Sequence, residues 1–212
     1  MRWVLYSHWG ADHGTGGSVF RDTATFLSHR NAAPKIAAAN DPTSPVPDVT
    51  FEGGRPLTLG GTTLELQPTA LSPQDDYVVV WYPAQKVLMA VDRARVKNLP
   101  FGDLQDAPPE QMVEHFQYLL DRFDFDAFLW GHSARPEHLL GTRQDLADHR
   151  QFYLDLMDAV RAARSSGHPD NSEAMVGAVR TALAPKYATW ANFPGALTQN
   201  VAGVLRWWTQ TG

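Results

Sequence analysis

At 212 residues and 23.5 kDa, with 43% hydrophobic residues, the chain is long enough for one substantial core and short for two. It has no cysteine, which excludes disulfides and thiolate ligands and leaves His, Asp and water to hold any metal. A net charge of −5 and a pI near 5.9 exclude the basic footprint of a nucleic-acid-binding protein, and no apolar run approaches the roughly 18 residues of a membrane span.

The first seventeen residues carry the most chemistry. MRWVLYS reads as a buried strand that runs into His8-Trp9-Gly10-Ala11-Asp12-His13, and the following loop holds Gly14, Gly16 and Gly17. Two imidazoles and a carboxylate thus emerge at a strand end, where short polar side chains can converge on a metal ion. Ser18 to Ser28 suits a short helix and Lys35 to Ala39 a brief strand, with a loop over Asn40 to Asp48 marked by Pro42, Pro45 and Pro47. Strands follow at Leu57–Leu59, before a Gly60-Gly61 hairpin turn, at Thr63–Gln67, at Tyr77–Trp81 and at Val87–Val91, the last ending on Asp92.

Pro108-Pro109-Glu110 opens a helix whose apolar positions Met112, Val113, Phe116, Leu119 and Leu120 recur at helical spacing. A strand over Phe125–Leu129 then delivers Gly131-His132. Arg143 to Ser165 is the longest expected helix, with Gly167 near its C-terminal end. Asn171 or Ser172 caps another, and Gly195 to Trp208 makes the last. Taken singly, His8, His29, His115 and His138 are ordinary hydrogen-bonded or surface histidines, and His149 a core one. Tyr187, Trp190 and Asn200 are more at home in a core than at a pocket mouth.

The N-terminal motif resembles the HxHxDH signature of the metallo-β-lactamase superfamily with one position changed, Gly10 standing where the second His belongs. The resemblance continues in order through Asp48 to Asp92, FDAFLWGHS (Phe125 to Ser133) and the helical tail, and so covers nearly the whole chain. It implies an α+β fold, an αββα sandwich of four layers, with the N-terminal strands partly missing. It also implies one domain over residues 1–212, a metal-site core to residue 140 and a helical C-terminal extension from 141.

Carried over residue by residue, the family's first metal site keeps only His8, since Gly10 replaces one ligand and Leu71, in TALSPQDD, another. The second keeps all its ligands, Asp12, His13, Asp92 and His132. The resemblance therefore implies a mononuclear centre, zinc first with manganese or iron as alternatives. Its chemistry would be hydrolysis of an ester, lactone or amide-type bond in a small-molecule substrate through a metal-bound hydroxide. Asp12 or Asp92 would orient the nucleophile, while His8 is either a further ligand or the proton donor to the leaving group.

Two other readings stay open. One is a degenerate fold member with a binding or assembly role, in which Asp12 caps the following turn, Asp92 accepts loop N–H groups and the two His residues hydrogen-bond to them. In the other, Asp75 or Asp76 swings in to rebuild a modified centre. Trp9 either narrows the pocket or fills the space left by the absent ligands. The N-terminus lacks the features of a signal peptide, so a cytoplasmic location is expected, with no nucleic-acid or membrane partner. Relative to the family the chain begins on the motif strand, which would uncover a sheet edge there and favour a homo-oligomer.

Overall fold

Strand β1 (Trp3–Leu5) runs parallel to β2 (Thr25–His29), and β2 parallel to β3 (Val49–Phe51), so β2 is the centre of a three-stranded sheet. The computed structural model of the protein describes residues 2–132 and 139–211. Met1, Ser133 and His138, each part of the sequence reading, lie outside the described residues. The chain divides into two units, Met1–Val91 and Asp92–Gly212.

In the first unit, alternation along β2 sorts two cores. Phe26 points to Tyr6, Ala32 and Ile36, the last two on helix α2 (Ala32–Ala39). Leu27 points the other way, to Phe51, Leu66 and Val78. Leu66 and Val78 belong to a second, antiparallel set, β4 (Arg55–Leu59), β5 (Thr62–Pro68), β6 (Val78–Tyr82) and β7 (Val87–Met89). The unit is therefore a helix, a sheet and a second sheet in layers. Gly60 and Gly61, with φ of 59° and 81°, turn the β4–β5 hairpin as expected.

Two elements differ from the sequence reading. Ser18 to Ser28 is a short 3-10 turn (Gly17–Phe20) followed by β2 rather than a helix. A strand buried on both faces lacks the alternating pattern that would have marked it. Lys35 to Ala39 belongs to α2 rather than a strand. Its alanines are strong helix formers, Pro34 sits in the tolerant first turn, and Asn40 closes the helix in the left-handed region at φ 49°. The three-residue β3 after the proline loop was not anticipated. Nor does β7 reach Asp92, since it ends at Met89.

The second unit contains α3 (Pro109–Arg122), the antiparallel pair β8 (Ala127–Leu129) and β9 (Leu140–Gly141), then α4 (Arg143–Ser165), α5 (Glu173–Tyr187) and α6 (Leu197–Thr211). Helix α4 keeps the expected bounds because both ends are written locally. Thr142 and Asp145 form a reciprocal capping box at its start, and Gly167 follows its end at φ 85°. Ser172, not Asn171, caps α5, its hydroxyl accepting from Met175 N at 3.1 Å. Phe116, Leu119, Leu146, Phe152, Leu156, Val179 and Val201 are buried, so α3, α5 and α6 gather around α4. Among the described residues no helix is long and apolar enough to cross a membrane.

Candidate metal centre

Three of the candidate residues, His8, Asp12 and His13, follow the end of β1. Val78 N donates to Ser7 O at 2.7 Å, which ties the strand exit to β6. His8 is buried, with Nδ1 3.1 Å from the Ser7 hydroxyl and its ring 5.4 Å from that of Tyr77. At Gly10 the backbone is extended, and one helical turn, α1 (Ala11–Gly14), follows at once. That turn sets the His13 ring 4.5 Å from the His8 ring and places His13 Nε2 3.4 Å from Asp12 Oδ2.

Gly10 itself shapes this group. A Cβ built there would lie 3.1 Å from Asp12 Oδ1, 3.1 Å from His13 Cδ2 and 3.7 Å from His8 Nε2. Where the resembled motif has a ligand, glycine leaves an open cradle faced by one carboxylate and two imidazoles. Nitrogen and oxygen donors of this kind suit zinc, manganese or iron.

Trp9 packs. Its indole joins the Tyr6, Phe26, Ala32 and Ile36 cluster and lies over Gly14, where a Cβ would come within 2.6 Å of Trp9 Cζ3. The Trp9 backbone N–H donates to Asp76 Oδ2 at 2.8 Å. Asp76 is buried, and its other oxygen lies 3.2 Å from Lys35 Nζ. Asp75 meets Lys35 at 2.6 Å and accepts from Asn31 Nδ2 at 2.9 Å. The Lys35 ammonium holds the Asp75 carboxyl below its ordinary range. Both carboxylates are thus engaged with α2 and the Trp9 backbone, an arrangement that fixes the loop and does not favour rebuilding a centre from them. Leu71 is half-buried in a turn closed by its N–H on Gln74 O.

The other two candidate ligands, Asp92 and His132, belong to the second unit. Val91 O accepts from the Tyr77 hydroxyl, and Asp92 follows in the left-handed region at φ 67°. Such a backbone is uncommon outside glycine and asparagine, and here it carries a candidate ligand. Asp92 Oδ1 lies 3.2 Å from His132 Nε2. The edge-on ring of Phe101 has its centroid 5.7 Å from that of His132. A cavity of about 20 Å³, room for a water molecule, is bordered by Asp92, Arg93, Arg95 and Phe101.

Four of the five expected donors are therefore paired as a carboxylate with an imidazole, Asp12 with His13 and Asp92 with His132, residue types that can ligate a metal. The fifth, His8, stands beside His13. His29, His115 and His149 have other surroundings. His29 accepts Asn31 N–H at 3.3 Å. Burial pushes His115 well below its ordinary pKa and takes His149, stacked on Trp190, down to about 3. Tyr187 donates to Asp155 at 2.7 Å and Asn200 is buried, so Tyr187, Trp190 and Asn200 are core residues. Phe101 carried no sequence signal, since one aromatic in a proline- and glycine-flanked loop looks like any other.

No family model and no curated protein matches this chain. Solved structures do. A metallo-β-lactamase from Pontibacter korlensis is 24% identical over 73% of this chain and 69% of its own, with a TM-score of 0.60. The stereoselective inverting sec-alkylsulfatase of a Pseudomonas species is 16% identical over 97% of this chain, with a TM-score of 0.66. The alignment spans 41% of that neighbour's length. The DIM-1 metallo-β-lactamase is 19% identical over 71% of this chain and 66% of its own, with a TM-score of 0.57. The chain has the metallo-β-lactamase fold, the α+β class that its motifs implied.

Proposed function

We propose that this protein is a metal-dependent hydrolase in which Asp12, His13, Asp92 and His132 together hold one divalent cation, zinc first, with manganese or iron as alternatives. The observation that carries the reading is the double pairing of imidazole with carboxylate, at 3.4 and 3.2 Å, together with the cradle that Gly10 leaves open. Fold neighbours that include metallo-β-lactamases and a sec-alkylsulfatase support the reaction class. The bond acted on, in our reading, is an ester, lactone or amide-type bond of a small molecule.

When bound, such an ion supplies Lewis acidity at the reacting carbonyl and draws the ionisation of water toward neutral pH. The chain's own residues do the rest. Asp12, on the exposed side of α1, orients a water by accepting its hydrogen bond. His8 has Nδ1 on the Ser7 hydroxyl and Nε2 toward the space above Gly10, from which it donates a proton to the leaving group. Asp92 holds the His132 ring in place.

Metal content of protein purified without chelator tests this directly. About one equivalent, lost in His13→Ala and accompanied by loss of metal-dependent ester or lactone turnover in His132→Ala, is the expected result. Protein that stays metal-free after incubation with excess zinc refutes it. That outcome would favour the second reading, a degenerate fold member with a binding or assembly role, which Gly10 and Leu71 already support by offering no donor atoms.

A further inference from the structure

Phe101 is 54% exposed, yet its loop is tightly held. Asn200, wholly buried on α6, donates from Nδ2 to the carbonyls on both sides of it, Pro100 O at 3.1 Å and Gly102 O at 2.9 Å. Further along α6, Arg206 donates to Asp103 O and the Trp207 indole to Leu104 O, each at 2.7 Å. Gly203 permits this close approach, because a Cβ there would fall 2.2 Å from Asp103 O. Beneath the ring, the buried Arg95 guanidinium sits 3.6 Å from its centroid. Four donor bonds and a stacked cation thus fix a water-exposed aromatic ring edge-on to His132.

An apolar ring held rigidly in water beside a candidate metal ligand is organised for contact with something else, because ordering it beforehand removes that cost from binding. We propose that Phe101 is a specificity-determining residue whose exposed surface receives the apolar part of the substrate while the scissile bond lies at His132. The substrate class is then an ester or lactone bearing an alkyl chain, rather than a compact polar one. Asn200 acts through Phe101 as a positioning residue. This inference rests on the hydrolase reading and deepens it.

Calorimetric titration of the full chain as purified with acetate, butyrate, hexanoate and octanoate tests it, repeated after chelation. Affinity is expected to rise roughly twofold per added methylene, about half the logarithmic gain of full burial, since an open ring covers one side of the chain. In Phe101→Ala the series should become nearly flat, and Phe101→Trp should keep the slope. The loop is held through its backbone carbonyls, so both variants are expected to fold, and a thermal scan of each checks this. A slope unchanged in Phe101→Ala, or no chain-length dependence in the parent, overturns the proposal. The matching p-nitrophenyl ester series reads the hydrolase assignment separately. A parent that binds longer carboxylates through Phe101 and turns over no ester would retain the contact and refute the chemistry.

Discussion

Replacing Gly10 with alanine should separate the proposed metal centre from the fold. The backbone there is extended, with φ −161° and ψ 143°, a conformation open to any residue, so the new methyl brings no backbone strain. Loss of a favourable N-cap residue costs up to about 1 kcal/mol, and the stiffer unfolded chain returns about 0.4–1 kcal/mol. The two nearly cancel, which leaves the melting temperature within about 2 °C of the parent. The site responds differently. The methyl would stand 3.1 Å from both Asp12 Oδ1 and His13 Cδ2, tighter than ordinary contact, so both must yield by a few tenths of an ångström. Metal–ligand distances tolerate about 0.2 Å, and the expected loss is about tenfold in affinity, or about 1.4 kcal/mol. Competition with a chromogenic chelator reads the affinity and a thermal scan reads the fold. Unchanged affinity would show that the Gly10 cradle is not where the ion sits. A stability loss above about 2 kcal/mol would contradict the strain-free backbone.

His149 gives a pH prediction. Its folded pKa is about 3 because burial disfavours the charged ring, and its ordinary value is 6.5. The unfolded chain therefore binds the extra proton between those values, so stability falls as pH drops below about 6.5 and levels off near pH 3, with roughly 2 kcal/mol lost by pH 5. Neither ring nitrogen has a hydrogen-bond partner among the described residues. His149→Leu should hold or raise stability at pH 7 and flatten that acid limb in denaturant titrations, and an unchanged limb would refute the assignment. Among the described residues strand β1 pairs in the parallel sheet with β2 alone, and we propose that the chain self-associates along its other edge. Light scattering should then give a mass that climbs with concentration through the micromolar range, whereas a constant monomer mass would rule this out.

Where residues write structure locally, the sequence was readable. Helix α4 is bounded by its own Thr142–Asp145 box and by Gly167, and the Gly60-Gly61 turn sets the β4–β5 register. The ligand candidates stand out in the sequence for a similar reason, since strand ends followed by His and Asp are short motifs. Ser18–Ser28 and Lys35–Ala39 misled because their identity depends on partners distant in sequence. Phe26 and Leu27 read as a strand only once Ile36 on one side and Leu66 on the other are known. Position 10 was legible as a missing ligand but not as an open cradle, which needs three side chains placed around it. The Phe101 ring escaped notice because what holds it, Asn200, Arg206 and Trp207, lies far along the chain.

That distance bears on how the protein is made. The bonds from α6 to the 100–104 loop join residues 98 to 103 positions apart. On the ribosome, at about 5–20 residues per second, Met1–Val91 can assemble while these partners are still untranslated, and the loop beside His132 waits several seconds for the last helix. Until α6 emerges, Phe101 belongs to an untethered segment, and the aromatic surface that marks the finished site is then a sticky surface suited to chaperone capture.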